Sequence, residues 1–114
     1  MKKRLVVFSV DAMISEDIDY LRDKPNFRRY LAGGSEVRKI RTIYPSVTYP
    51  AHVSMMTGCY PDRHGVASNY AFTTNSKEDT WQWFHSAVRV GDIFTAAKAA
   101  GYSTASIFWT VTGN

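Results

Sequence analysis

Residues 4–11 read Arg-Leu-Val-Val-Phe-Ser-Val-Asp, and the fold class turns on them. Leu5, Val6, Val7 and Phe8 form an apolar run with no polar residue alternating among them. That pattern predicts a strand covered on both faces, as in a parallel sheet flanked by helices. Asp11 then falls just past the carboxyl end of the strand. Lys2, Lys3 and Arg4 ahead of the run imitate a secretion signal, but Ser9 interrupts the apolar stretch and Asp11 closes it. It is too short for a signal core and far below the ~20 residues of a membrane span.

Working outward, Ser15 followed by Glu16 and Asp17 marks a helix start, predicting a helix over Ser15 to Leu21. Pro25 to Leu31 reads as a second helix with proline in its first turn, stopped by Gly33 and Gly34. Residues 35–44 alternate Val37, Ile40 and Ile43 against Arg38, Lys39 and Arg41, which predicts a strand with one polar side or an exposed edge. Pro50 to Thr57 reads as a helix with Gly58 suited to a left-handed cap. Residues 60–79 are rich in turn formers and predict a long connection. Gly91 to Ala100 has an amphipathic pattern through Ile93, Phe94 and Ala97, and 102–108 alternates into a last strand. Strands interleaved with helices, without internal repeats, give an α/β layered fold.

At 114 residues the chain is one domain or a piece of one. An apolar share of 45% with 21% charged residues excludes disordered, collagen-like and coiled-coil chains. A net charge of +4 suits anionic ligands but falls short of a nucleic-acid signature. The single cysteine, Cys59, cannot close an internal disulfide, which points to a reducing, cytoplasmic setting.

The densest motif spans 43–69: Ile-Tyr-Pro-Ser-Val-Thr-Tyr-Pro-Ala-His-Val-Ser-Met-Met-Thr-Gly-Cys-Tyr-Pro-Asp-Arg-His-Gly-Val-Ala-Ser-Asn. A hydroxyl just before a helix faces unpaired N–H groups and the positive end of the helix dipole, where phosphate is favoured. Thr48 is placed there; taken alone, it reads more simply as a helix N-cap.

Together with Val6 to Asp11, this segment resembles the nucleotide pyrophosphatase and phosphodiesterase family of the alkaline phosphatase superfamily. The carriers are Asp11 after the first strand, Thr48-Tyr49-Pro50-Ala51-His52, Thr57-Gly58-Cys59-Tyr60-Pro61-Asp62-Arg63-His64-Gly65, and Asn69. The resemblance implies an alkaline phosphatase-like, mostly parallel sheet with helices on both faces, of which residues 1–114 form the N-terminal portion of one catalytic domain. It implies hydrolysis of phosphodiester or pyrophosphate bonds with Thr48 as nucleophile, a phosphothreonine intermediate, and Asn69 as amide donor to a phosphate oxygen. It implies two zinc ions in the complete enzyme, with Asp11 and Thr48 as ligands to one of them. The chemistry is coherent, because a threonine hydroxyl is a poor nucleophile near neutrality and a divalent cation lowers its pKa. The family's remaining metal ligands lie further along its chain, so these residues alone are expected to hydrolyse little and to leave apolar surface, with Trp81, Trp83 and Trp109, open to self-association.

Rival residues rank lower. The resemblance makes His52 a structural residue rather than a ligand, and His64 before Gly65 reads as fixing a turn. His85 has no motif around it. Ser46 and Ser54 stand outside the Thr48 position, Cys59 reads as a small packed residue, and the scattered basic groups read as solvated surface. The expected partner is a small phosphodiester or nucleotide, with no specific nucleic acid and no membrane. A phosphonoacetate hydrolase-like enzyme of the same superfamily and a non-catalytic domain binding anions or nucleic acid are the alternatives.

Overall fold

The computed structural model describes residues 3–74 and 80–113, in two compact units covering residues 1–41 and 42–114. In the first unit, α1 (Ser15–Leu21) and α2 (Pro25–Ala32) form where expected. The Asp17 carboxylate accepts the Ile14 N–H at 2.9 Å, satisfying a donor at the α1 start. Four charges hold segment 36–38 to α1. Arg22 meets Glu36 at 2.9 Å, and Arg38 reaches Asp19 and Glu36, each at 2.8 Å. The hydrogen bond from Arg22, opposed by some desolvation and aided by the charges of Arg22 and Arg38, lowers the Glu36 pKa. The pairs are solvent-facing and fix geometry more than they add stability.

The second unit is built around α3 (Thr48–Thr57). Tyr49, Val53 and Met56 recur on one face of it and form the core with Val66 and Val111. Ala87, Val88, Phe94 and Trp109 pack against this cluster. Gly58 ends α3 at φ +67°, a left-handed conformation that a side chain would strain. α4 (Pro61–His64) follows, then the two-residue strands β1 (Tyr70–Ala71) and β2 (Thr80–Trp81), a single 3-10 turn at His85–Ala87, and α5 (Ile93–Ala99). β1 and β2 pair antiparallel, with Tyr70 opposite Trp81. Phe84 and Gly113 make one parallel bridge.

Four expectations need correction. The stretches at 5–8, 35–44 and 102–108 carry no strand ladder among the described residues, whose sheet is the antiparallel pair β1–β2. A strand exists only as one side of a hydrogen-bonded pair, and these stretches are exposed, Phe8 at 86%. α3 begins at Thr48 rather than Pro50, which makes Thr48 the first helical residue and Val47 the cap position. Pro50 is tolerated because its missing N–H lies in the first turn, where no intrahelical bond is lost. The expected connection from Tyr60 contains α4 and β1; Pro61 opens that helix and Gly65, at φ +85°, closes it. Its last five residues, 75–79, lie outside the described residues. On α5, Phe94 reaches the core but Ile93 stays 51% exposed. Among the described residues no helix is long and apolar enough to cross a membrane.

Candidate active site

Thr48 sits half-buried at the first position of α3, and the helix start is completed from elsewhere in the chain. Val47 has no side-chain acceptor and Pro50 no N–H to satisfy. The Tyr49 N–H is taken by Asn69 Oδ1 at 2.8 Å, across 20 residues of sequence. This bond brings Asn69 to the turn that carries Thr48. It also orients the amide: with the oxygen committed to the backbone, the NH2 end is presented away from it.

His52 lies one turn further on. Its Nδ1 donates to the Thr48 carbonyl oxygen at 2.8 Å, and its ring packs edge-on against Trp109 at 5.2 Å. These contacts fit the structural role expected of it. His64 is fully buried. The Val66 N–H donates to its Nδ1 at 3.1 Å, so Nε2 carries the proton and donates to Ser54 Oγ at 3.0 Å. Burial lowers its pKa, outweighing the opposite pull of Asp62. His64 thus fastens α4 to α3, and Ser54 is engaged in that bond. Cys59 is half-buried, its N–H donating to Thr57 Oγ1.

Asp11 belongs to the first unit and Thr48 to the second. Asp11 is exposed, and its Oδ1 accepts the N–H of Ala12, whose φ is +58°.

Sequence expectations left His85 and Tyr49 without roles. The carboxylate of Asp92, buried at the start of α5, accepts the Thr95 N–H on one oxygen and contacts His85 Nε2 on the other, both at 2.7 Å. Burial alone would raise its pKa, yet the bonds from Thr95 and His85 hold it below the ordinary value. Tyr49 is buried beneath an aromatic cluster: its ring lies 5.3 Å from Trp81 and 6.4 Å from Trp83, and Tyr70 lies 4.6 Å from Trp81. The available signal was the alternation Trp81-Gln82-Trp83, which places two indoles on one face and an amide on the other.

A sequence model described as type I phosphodiesterase / nucleotide pyrophosphatase matches residues 5–114. Bis(5'-adenosyl)-triphosphatase enpp4 of Xenopus laevis is 29% identical over 77 residues, covering 66% of this chain and 16% of the relative. Ectonucleotide pyrophosphatase/phosphodiesterase family member 1 of Homo sapiens is 31% identical over 85 residues, covering 67% and 9%. Venom phosphodiesterase 2 of Crotalus adamanteus is 31% identical over 74 residues, covering 62% and 9%. The chain therefore spans less than a fifth of the length of each of these relatives. No solved structure matches it. With the family model matching nearly the whole sequence, the chain belongs to the type I phosphodiesterase / nucleotide pyrophosphatase family.

Proposed function

We propose that the protein carrying this sequence hydrolyses phosphodiester or pyrophosphate bonds of small nucleotide-like substrates, with Thr48 as nucleophile and Asn69 as phosphate-oxygen donor. Family membership supports the bond class, and the names of the relatives point to nucleotides. The observation that carries the residue assignment is the 2.8 Å bond from the Tyr49 N–H to Asn69 Oδ1, which joins the donor to the turn bearing the hydroxyl. In the proposed reaction Thr48 Oγ attacks phosphorus and loses its proton, an Oγ–P bond forms, and the P–O bond to the leaving group breaks. The leaving oxygen takes up a proton. Water then cleaves the Oγ–P bond and restores the hydroxyl. Charge grows on the non-bridging oxygens during both steps, where the positive end of α3 and the Asn69 NH2 favour it.

Zinc is part of the family expectation and would lower the pKa of the attacking hydroxyl. Asp11 and Thr48 supply two oxygen donors, short of the three or four protein ligands zinc takes. No group of three or more His, Cys, Asp or Glu able to hold a metal occurs among the described residues. These residues by themselves therefore do not make up a zinc site. The alkaline phosphatase-like, mostly parallel sheet is likewise part of the proposal for the complete enzyme.

Thr48→Ala in the complete enzyme is the direct test. We expect loss of hydrolysis of a chromogenic phosphodiester, with unfolding free energy changed by less than about 1 kcal/mol, since Thr48 is not the helix cap. Undiminished turnover would remove Thr48 as nucleophile.

A further inference from the structure

Asn69, just before β1, is gripped from behind by one residue just past the end of β2. The backbone N–H of Gln82 donates to the Asn69 carbonyl at 2.9 Å. The side-chain Nε2 of the same Gln82 donates to the Ser68 carbonyl at 3.0 Å and the Tyr70 carbonyl at 3.1 Å. Three consecutive carbonyls centred on Asn69 thus end on one residue. The amide orientation is fixed by its partners, because both are carbonyl oxygens and only the NH2 end can serve them. On either side of Gln82, Trp81 and Trp83 close over Tyr49, whose N–H is the partner of Asn69 Oδ1. The grip and the bond it aims are therefore two ends of one connected piece of structure.

We propose that Gln82 is a positioning residue for Asn69, holding the 68–70 backbone so that the Asn69 amide meets the Tyr49 N–H and presents its NH2 to substrate. The proposal rests on the reading of Asn69 given above. Asparagine has two side-chain torsions, and with its backbone loose the amide samples orientations that leave Tyr49 unbonded. A donor misplaced by about 1 Å loses most of its value in a transition state. The bonds of Gln82 end on the backbone carbonyls of residues 68–70, so its effect reaches catalysis through Asn69.

Two variants separate this role from general support of the fold. Gln82→Leu keeps the backbone N–H bond and the bulk but removes the side-chain donors. Gln82→Glu keeps the shape and turns carboxylate oxygens toward two carbonyls. The first readout is amide hydrogen exchange by NMR, which does not involve activity. Both variants should accelerate exchange at Tyr49 by about tenfold or more while Met56, on the same helix, keeps its protection. The second readout is steady-state hydrolysis by the complete enzyme. kcat should fall by about tenfold with KM changed less than about threefold, and Gln82→Leu should add almost nothing in an Asn69→Ala background.

Unchanged exchange at Tyr49 in both variants overturns the proposal, as does equal loss of protection along the whole of α3. Additive losses of kcat in the double variant overturn it too. If Asn69→Ala keeps full turnover while Tyr49 exchange still accelerates in the Gln82 variants, the clamp stands and the catalytic reading of Asn69 fails.

Discussion

In the proposed reading, Asn69 uses the two ends of one amide differently, Oδ1 for the Tyr49 N–H and NH2 for the phosphate, and single-atom changes separate them. Asn69→Asp keeps an oxygen for the Tyr49 N–H and replaces the NH2 with a second anionic oxygen. We expect it to melt close to the parent while hydrolysis falls by on the order of a hundredfold or more. Asn69→Ala should lose a similar amount of activity and, in addition, about 1 kcal/mol of stability through the uncapped turn. Parallel melts and phosphodiester assays check both. His64 gives a pH signature. Its folded pKa lies below the ordinary 6.5 because burial disfavours the charged ring. The unfolded chain therefore takes the proton first, and stability present above about pH 6.5 declines as the pH falls through the folded value. Thermal melts between pH 7.5 and 5 should show that decline, and His64→Gln, less stable at neutrality, should show a flatter one. Asp92, also lowered, acts in a separate window below its ordinary 3.8.

At the scale of elements, α5 depends on Asp92 for its start. Asp92→Ala removes the acceptor for the Thr95 N–H and strips His85 of its partner, and should cost about 1–2 kcal/mol. Asp92→Asn, which can still cap, should cost less; denaturant titration of the two variants checks the order. The elements also show what a sequence makes readable. α1 and α2 were legible because their signals are local: Glu16 and Asp17 in a first turn, Pro25 opening a helix, Gly33 closing one. The start of α3 was not, because the acceptor for its first turn comes from Asn69, distant in sequence, and Pro50 looked like a boundary. The pair β1–β2 was hidden for a related reason: two residues per strand are too few to show alternation, and pairing depends on Gln82 meeting three carbonyls across the ladder. At 5–8 and 35–44 the residue types suit strands, but their pairing partners are not set by local sequence.

The whole molecule is two units of unequal interior. Both helices of the first lack buried residues, and its run from Leu5 to Phe8 is exposed and, among the described residues, carries no strand pairing. Unpaired N–H and C=O groups beside exposed apolar side chains are a template for pairing with another copy. The 114-residue chain should therefore self-associate as its concentration rises, and Val6→Lys should reduce this. Sedimentation velocity over a concentration series checks it, and a monomer throughout would contradict the expectation. In the second unit the same aromatic rings that bury Tyr49 have an optical consequence. Trp81 and Trp83 stand 5.8 Å apart with their planes inclined by 34°. At that separation the excited states of two indoles mix, and their skewed transition dipoles give circular dichroism bands of opposite sign. The hairpin that aims Asn69 thus carries its own chromophore, and that signal would disappear with the pairing of β1 and β2 even while the helices remained.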